Sequence, residues 1–352
     1  MAVLRPAAAC AALLCLAVLA AACSGDDDGA LTATPTAPGG SGAPADAFII
    51  YRDGGGNIVA SNVGMNEAYQ YPVDFNAEVV VSAACSPDGQ RLGLLKQPFS
   101  VTNRQLFLSG RDAPTEPLDL PAAVQGLEWS PDGELITFTE FDGFANTHKV
   151  SILDPTTGTV TGLTSGEGVV GSPSWSPDGT TIAYSIQDIL STMSDVFVID
   201  AAGREPRQVP TGDDLLYFDP EWAPDGSRLL VSGQSPTEIQ LYTLDPATGE
   251  KEQLTSSEIY KRGAEYAPGG DSIAYTGSIL AVLASRYAMD LHSYGIFVLN
   301  ADGSNERALT VDPRTNPGAQ VDPYLDAFLL GWCLPGPWLN DDWQISEETP
   351  AP

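Results

Sequence analysis

One five-residue pattern recurs through the middle of the chain. It reads Cys85-Ser-Pro-Asp-Gly89, Trp129-Ser-Pro-Asp-Gly133, Trp175-Ser-Pro-Asp-Gly179, Trp222-Ala-Pro-Asp-Gly226 and, in a decayed form, Tyr266-Ala-Pro-Gly-Gly270. The starts of successive copies are 44, 46, 47 and 44 residues apart. This interval is the period of a four-stranded propeller blade.

Each repeat has the same internal order of strands and turns. Proline stands where a turn needs a fixed φ, and glycine stands where the turn needs a positive φ. A short apolar run such as Leu135–Phe138 follows, and a third strand such as Val196–Ile199 leads through a glycine-containing turn to a fourth strand. No helical period of comparable strength is present, so the sequence predicts an all-β fold.

The run from Trp175 to Tyr184, Trp-Ser-Pro-Asp-Gly-x-x-Ile-Ala-Tyr, resembles the Pro-Asp (WD40-like) repeat of TolB-like β-propellers. The same repeat occurs in the propeller domains of prolyl oligopeptidase-type enzymes. The resemblance extends roughly from residue 47 to residue 335. It implies the fold, and it says little about function because the fold carries many functions.

The two ends of the repeat region set the number of blades. The five copies of the turn account for five blades, which begin near residue 78. Phe48–Tyr51 and Ile58–Ala60 read as a third and a fourth strand without partners, and Val321–Trp332 supplies the missing first two strands. N- and C-terminal strands sharing this last blade would close the ring and remove its exposed strand edges. We predict six antiparallel four-stranded blades, with seven as the alternative.

The N-terminal region has the layout of an export signal. Arg5 precedes an apolar run that ends at Cys23, and Ala20-Ala21-Ala22-Cys23 resembles the lipobox of bacterial lipoproteins, although that family usually has Leu at the position of Ala20. We predict a lipoprotein signal peptide at 1–22, lipidation of Cys23, a flexible tether through residue 46, the propeller at 47–340 and an acidic, disordered tail at 341–352. The alternatives are an ordinary signal peptide cut near Ala22 and an uncleaved anchor.

Two cysteines remain after such processing, Cys85 and Cys333. Cys85 ends the first strand of blade 1, and Cys333 lies in the last blade, which would be its neighbour in a closed ring. A disulfide between them suits an exported protein, and two unpaired buried thiols are the alternative.

Charge excludes one class of partner. The chain has 46 acidic and 16 basic residues and a formal net charge of −30. Because this charge repels phosphate backbones, we expect no nucleic-acid partner.

The candidate binding residues lie in the loops that join second to third strands and successive blades. These loops emerge on the face opposite the Ser-Pro-Asp-Gly turns, they vary in length, and they are rich in aromatic residues. The candidates are Tyr71, Phe99, Phe141, Phe144, His148, Tyr217, Phe218, Tyr260, Tyr287, His292 and Tyr294.

Catalytic motifs are missing from the sequence. It has no G-x-S-x-G, H-E-x-x-H, Walker or dinucleotide-binding pattern, and we predict no catalytic residues, metal or cofactor. The repeated tryptophans, such as Trp129, recur at one repeat position and are predicted to pack between blades, and the repeated aspartates, such as Asp132, are predicted to form the turns.

The sequence therefore predicts a non-catalytic binding or scaffold protein of the cell envelope. It would be exported, lipid-anchored to the bacterial membrane and facing the periplasm or the exterior. Its partner would be an envelope protein or a peptide that contacts the loop face or the channel mouth. The alternatives are a propeller that binds a carbohydrate or a small molecule, and a propeller-fold hydrolase or lyase without a recognisable motif.

Overall fold

A computed structural model describes thirteen segments of the chain: residues 47–52, 57–62, 68–71, 78–98, 104–110, 116–120, 124–142, 147–164, 168–187, 194–281, 291–309, 328–334 and 344–345. The chain divides into two units, residues 1–37 and 38–352, and every described residue belongs to the second unit. The predicted signal peptide, Cys23 and the tether lie outside the described residues.

The described segments form β-strands joined by turns, and none of them contains a helix that is long and apolar enough to span a membrane. In chain order the strands are β1 (Phe48–Arg52), β2 (Ile58–Asn62), β3 (Ala68–Tyr71), β4 (Glu78–Cys85), β5 (Arg91–Pro98), β6 (Gln105–Gly110), β7 (Leu118–Asp119), β8 (Val124–Trp129), β9 (Ile136–Asp142), β10 (Thr147–Asp154), β11 (Thr159–Gly162), β12 (Val169–Val170), β13 (Ser174–Trp175), β14 (Thr181–Gln187), β15 (Ser194–Asp200), β16 (Arg207–Gln208), β17 (Leu216–Trp222), β18 (Leu229–Gln234), β19 (Ile239–Leu244), β20 (Lys251–Gln253), β21 (Tyr260–Tyr266), β22 (Ser272–Ala281), β23 (Leu291–Asn300), β24 (Arg307–Ala308), β25 (Phe328–Cys333) and β26 (Gln344–Ile345).

These strands form six antiparallel blades. Blades 1, 2, 4 and 5 are β4–β7, β8–β11, β17–β20 and β21–β24, and blade 3 is β12–β16 with an inner strand divided into β12 and β13. Blade 6 has the order β25-β1-β2-β3, with the short β26 at its outer edge. β26 lies in the predicted disordered tail, and its pairing with β3 corrects that prediction at residues 344–345. The prediction of a six-bladed, all-β propeller whose last blade is shared by the two ends of the chain is confirmed.

The division of blade 6 differs from the prediction. β1 and β2 are its second and third strands, the N-terminal region supplies three strands, and the C-terminal region supplies the inner strand β25. The turn that marks the second strand elsewhere is absent here, because β25 and β1 belong to opposite ends of the chain. The sequence signal for strand order was therefore missing where the prediction failed.

The repeated turn is held by a fixed set of hydrogen bonds. Ser130 Oγ donates to Asp132 Oδ1 at 2.6 Å, and the same carboxylate oxygen accepts the Glu134 N–H at 3.0 Å. The Leu135 N–H donates to Ser130 Oγ at 2.9 Å, and Gly133 has the positive φ of 72° that the turn requires. Equivalent bonds recur in blades 1 and 3. The aspartates are turn formers, as predicted.

The turns also join neighbouring blades. A Cβ placed on Gly226 would lie 3.7 Å from Pro177, and one on Gly270 would lie 3.3 Å from Pro224, so the glycine of each turn lies against the proline of the preceding one. Between blades 6 and 1, Leu334 takes the place of the proline, since its Cβ would be 2.8 Å from a Cβ on Gly89. This contact leaves no room for a side chain at that glycine.

The hydrophobic core consists of six clusters, and each cluster combines residues of two neighbouring blades. Leu230 and Leu241 of blade 4, for example, pack with Ile273 and Tyr275 of blade 5. No blade therefore buries its own apolar surface without its neighbours, which is the usual arrangement in repeat proteins.

The repeated tryptophans lie at these junctions. Trp129 Nε1 donates to the carbonyl oxygen of Ala84 in the preceding blade at 3.0 Å. Trp332 occupies the same position in blade 6, and its Nε1 donates to the carbonyl oxygen of Glu265 at 3.3 Å. The indole N–H groups of Trp175 and Trp222 are buried without an acceptor. The predicted packing role of the tryptophans between blades agrees with these positions.

Cys85 of β4 and Cys333 of β25 form a disulfide in the structure, with 5.4 Å between their Cα atoms and a sequence separation of 248 residues. The bond links the inner strands of blades 1 and 6. It therefore closes the ring at the junction between the two ends of the chain.

We expect Cys333→Ser to lower the free energy of unfolding by about 2–5 kcal/mol, because a disulfide that closes so long a loop removes much entropy from the unfolded chain. Thermal unfolding with and without reductant measures this effect. Reductant should lower the wild-type midpoint and leave the variant unchanged, and equal midpoints in all four samples would contradict the stabilising role.

We expect Trp129→Phe to destabilise the protein by about 1 kcal/mol more than Trp175→Phe, because only the first change removes an indole hydrogen bond. The two side chains are matched in burial, at 4% and 6% exposure. Urea unfolding of both variants measures the difference, and equal losses would show that the Trp129–Ala84 hydrogen bond contributes nothing.

Candidate functional site

The inner strands of the six blades enclose a central channel. Residues of all six blades line its cavity, which has a volume of about 720 Å³. One end opens on the face of the Ser-Pro-Asp-Gly turns, here called the turn face. The other end opens on the face that carries the second-to-third-strand and inter-blade loops, here called the loop face.

At the loop face, Arg262 of the channel wall lies where blades 4 and 5 meet. The guanidinium of Arg262 lies 4.2 Å above the ring of Phe218, and its Nη2 donates to Gln234 Oε1 at 3.0 Å. Tyr260, two residues before Arg262, donates its hydroxyl to the Thr237 carbonyl at 3.3 Å. These five residues, named here the 4–5 corner, form an aromatic and cationic surface whose side chains contact one another.

Below this level the inner strands carry β-bulges. Gly126 and Gly263 have φ values of 67° and 53° at equivalent positions, and Asp219 has a φ of 50° at the same position of blade 4. Aspartate tolerates this left-handed conformation better than most residues with a side chain. Its Oδ2 accepts the Gly263 N–H at 3.3 Å, which connects blades 4 and 5 beside the channel.

Deeper in the channel, three glutamates occupy one repeat position. Glu128, Glu221 and Glu265 each come directly before the repeated aromatic residue of blades 2, 4 and 5, and all three line the cavity. Both carboxylate oxygens of Glu128 accept the Trp175 N–H at 3.1 Å. Ser174 Oγ, at the same repeat position in blade 3, donates to Glu128 at 3.4 Å and accepts the Trp222 N–H at 3.0 Å.

The pKa values of all three glutamates are raised above their usual range. Burial raises the pKa of Glu128 well above its usual range, and the carboxylates of Glu221 and Glu265 add to the shift. Burial and the Glu265 carboxylate raise the pKa of Glu221 to about 8, and burial raises the pKa of Glu265 to about 7. Two causes therefore act together, desolvation of the charged form and repulsion between like charges.

The turn-face end of the channel is lined differently. The turn prolines Pro87, Pro131, Pro177, Pro224 and Pro268 line the cavity and form an apolar collar there. The exposed carboxylates of the turn aspartates stand around this collar, and hydrogen bonds from turn side chains and backbone lower the pKa of Asp132, Asp178 and Asp225. The channel is thus acidic inside and acidic around its turn-face mouth.

The candidate binding residues fall into several groups. Phe218 and Tyr260 are half-buried in the 4–5 corner. Phe141 and His148 form a cross-strand pair with ring centroids 4.5 Å apart, and His148 lies in strand β10 rather than in a loop. Its Nδ1 is buried without a partner, and burial lowers the pKa of His148.

Tyr71, half-buried on β3, has the Lys96 Nζ 4.9 Å above its ring.

Tyr217 requires a correction. Its exposure is 0%, and its hydroxyl donates to the half-buried carboxylate of Asp213 at 3.0 Å. It offers a partner no surface. Tyr217 and Phe218 are adjacent on a strand, so their side chains point in opposite directions, and only one of the pair can reach the loop face.

The remaining candidates are placed only in part. Phe99, Phe144 and Tyr287 lie outside the described residues. His292 and Tyr294 belong to strand β23, where they pair with Leu280 and Ser278, so they lie in the hairpin of β22 and β23 and not in a loop as predicted.

A second, smaller cavity of about 520 Å³ opens on the loop face between blades 3 and 4. It is lined by Asp195, Gln208, Pro210, Thr211, Gly212, Asp213 and Asp214. Among the residues that the structure describes, no three His, Cys, Asp or Glu side chains are grouped to hold a metal ion.

Sequence reasoning missed the glutamates and Arg262. The signal for the glutamates was present, because a glutamate directly precedes the aromatic residue in three of the five repeats, where a buried inner strand would favour an apolar side chain. Arg262 gave no comparable signal, since its role depends on Phe218 and Gln234 of the neighbouring blade.

We expect the free energy of unfolding to decrease as the pH rises from about 4.5 to about 8. The folded-state pKa values of Glu221 and Glu265 lie above the unfolded value, so their stabilising effect is complete below the unfolded pKa and is lost as the pH rises through the folded pKa. Glu265→Gln should reduce this decrease by about 1–3 kcal/mol. Urea unfolding at several pH values tests this, and an unaltered pH dependence in the variant would contradict it.

Comparison with known proteins agrees with this architecture. The family described as the TolB beta propeller domain matches residues 122–279. The Tol-Pal system protein TolB of Francisella tularensis subsp. mediasiatica (strain FSC147) is 21% identical over 245 residues, which are 56% of this chain and 54% of the relative. TolB of Francisella tularensis subsp. holarctica (strain OSU18) is 27% identical over 133 residues, 38% of this chain and 28% of the relative. The chain thus spans about half or less of the length of these relatives.

Solved structures show the same fold. The putative TolB from Agrobacterium tumefaciens superposes with a TM-score of 0.57 and 19% identity, covering 77% of this chain and 90% of that chain. A chain of the nidogen/laminin complex reaches a TM-score of 0.55 with 13% identity, covering 74% of this chain and 91% of its own length. The repeated turn, the six blades and the family match together show that this chain contains a TolB-like β-propeller.

Proposed function

We propose that this chain is an exported, non-catalytic binding protein of the bacterial cell envelope. Its propeller presents the loop face and the channel mouth to a protein or peptide partner. The likeness to proteins named as Tol-Pal system protein TolB supports an envelope role. Because the match covers only 28% and 54% of the length of these relatives, it does not identify the partner of this chain.

The observation that carries the binding role is the 4–5 corner. Tyrosine, arginine and phenylalanine side chains are the types that most often dominate the energy of protein interfaces. Here Arg262 is exposed, and Phe218 and Tyr260 are half-buried. Hydrogen bonds hold Arg262 to Gln234 and Tyr260 to Thr237. Such side chains lose little conformational freedom when a partner binds, which favours affinity.

The path of the chain supports the loop face as the docking face. Ala47 precedes β1, and Leu334 follows β25, and both stand at the turn-face ends of their strands. In our proposal Cys23 carries a lipid, and the partner docks on the loop face, which carries neither of these two strand ends.

We expect a photo-crosslinking amino acid in place of Tyr260 to give a discrete adduct in cells of the source bacterium, because this side chain would touch the partner. The matched control is the same amino acid in place of Glu252, which is exposed on the edge strand β20. Adding Arg262→Ala should reduce the Tyr260 adduct roughly tenfold, since a dominant interface residue contributes 1–2 kcal/mol or more.

Equal adducts from the two positions, or none from position 260, would contradict docking at the loop face. Fractionation of the same cells addresses the anchor, since Cys23→Ser should release the protein from the membrane fraction. Retention of that variant in the membrane would contradict lipidation at Cys23.

A further inference from the structure

The outer edge of blade 6 differs from the outer edges of the other blades. β3 holds the place of a fourth strand, yet it is bonded on both sides, to β2 and to β26. In the other five blades the outermost described strand ends its sheet, and these strands are β7, β11, β16, β20 and β24. The segment that follows β25 in the chain therefore adds a fifth strand to the blade that closes the ring.

The outer strands of the other blades are protected by their shortness and by charge. β7, β16, β20 and β24 have two or three residues, and each contains a charged residue, such as Lys251 of β20. β11 is longer and uncharged, but Lys149 stands beside it, because its Nζ would lie 3.9 Å from a Cβ on Gly162. Short or charged edges resist pairing with strands of other molecules.

β3 has neither form of protection. Its sequence, Ala68-Tyr-Gln-Tyr71, is four residues long, carries no charge and contains two tyrosines, which favour strands. The ring of Tyr69 packs edge-on against Phe48, with 5.8 Å between the ring centroids. The Tyr71 hydroxyl accepts a hydrogen bond from Lys96, which is 4% exposed and therefore does not bring its charge to the edge. β3 is thus held in place and can serve as a template for a further strand.

β26 covers this template. It runs antiparallel to β3, with Gln344 opposite Gln70 and the next residue opposite Tyr69. The two paired residues are flanked in the sequence by Asp341-Asp342 and Glu347-Glu348. A short strand between acidic residues is a poor partner for a further strand, because the like charges of two copies repel each other. β26 therefore replaces an uncharged aromatic edge by a short and acidic one.

The link between β25 and β26 is long enough for the same molecule to supply this strand. β26 lies four strand positions from β25 in the blade, a distance of about 19 Å at the usual spacing of strands. Ten residues separate Cys333 from Gln344, and an extended chain of that length reaches about 33 Å. Attachment through so short a link gives β26 an effective concentration of about 1 mM at β3, which allows a pairing of few residues to persist.

We propose that the outer edge of blade 6 is a strand-docking site, and that the chain's own strand β26 occupies it and prevents a second copy of the chain from pairing there. When β26 is absent, the β3 strands of two copies pair, because an antiparallel pair of identical strands is self-complementary about a two-fold axis. No residue of β3 or β26 lines the channel or belongs to the 4–5 corner, so this inference goes beyond the proposed binding function and does not depend on it.

A pair of cysteines tests the placement of β26 in the full chain. Gln70→Cys with Gln344→Cys places two thiols at directly opposed positions of an antiparallel pair, where a disulfide fits. The register control is Gln70→Cys with Glu348→Cys, and all variants carry Cys23→Ser to remove the proposed lipid. We expect peptide mapping to show an intramolecular disulfide in the first variant and free thiols at both new positions in the control.

Removal of β26 tests its protective role. We expect a chain that ends at residue 340 to self-associate at least about tenfold more tightly than the full chain, because β3 is then uncovered. Gln70→Lys in the shortened chain should reverse this gain, since it places a positive charge on each of the two paired strands. The matched control is Gln253→Lys in the shortened chain, which adds the same charge to the exposed strand β20 and should leave the association unchanged. Sedimentation velocity at several concentrations measures association, and thermal unfolding shows which variants are folded.

Three results would overturn the inference. The first is a folded shortened chain that associates no more than the full chain. The second is an equal loss of association in both lysine variants, which would assign the association to overall charge. The third is a cysteine pair that forms no disulfide, or forms one only between molecules, which would make β26 an exchanged strand. If the shortened chain does not fold, Gln344→Pro with Ile345→Pro in the full chain replaces it, because these changes remove both N–H donors of β26.

Discussion

Closure of the ring at blade 6 is the constraint on which the rest of the structure depends. Every apolar cluster joins two blades, so a ring that failed to close would expose half a cluster on each side of the gap. The inner strand β25 pairs with β1 although almost the whole chain separates them in sequence, and closing so long a loop costs conformational entropy. Three groups of contacts offset that cost: the pairing of β25 with β1, the Trp332–Glu265 hydrogen bond and the Cys85–Cys333 disulfide.

The acidic channel is a consequence of that closure. Six inner strands around one axis leave a space that their side chains must fill or leave open. The position before the repeated aromatic residue carries the small residues Ala84, Ser174 and Gly331 in three blades and a glutamate in the other three. The small residues keep the space open, and the glutamates make it polar. An apolar side chain would pack there at a lower desolvation cost, so three carboxyl groups at this position are unusual for the inner strands of a propeller.

The fold could be predicted because one turn is repeated. Its proline, aspartate and glycine each have a local physical reason, and the spacing between copies determines the size of a blade. The strand order of blade 6 could not be predicted, because its inner strand ends near Leu334 and its second strand begins after Ala47 at the other end of the chain. The Ser-Pro-Asp-Gly turn that identifies the second strand of the other blades is therefore absent. Local patterns describe a blade well, and they describe poorly the place where two distant segments complete one.

The site was harder to predict than the fold, for a reason that Tyr217 and Phe218 illustrate. Both are aromatic residues near a loop, and composition alone gives them the same prediction. Strand alternation directs one to the interior and the other to Arg262 of the next blade. The partners that decide the role of a side chain in a propeller belong to neighbouring blades, some 45 residues away in the sequence. The repeat period shows that such neighbours exist and does not show which side chains they offer.

The channel and the blade junctions share residues, and this links binding to stability. Glu128 lines the cavity and also accepts the Trp175 N–H of the next blade, and Ser174 continues that chain of hydrogen bonds to Trp222. Ionisation of Glu128 strengthens its bond to the Trp175 N–H, because a carboxylate is a stronger acceptor than a protonated carboxyl group. The side chains that shape the channel wall therefore also hold blades 2, 3 and 4 together, and a substitution at Glu128 changes the wall and these junctions at once.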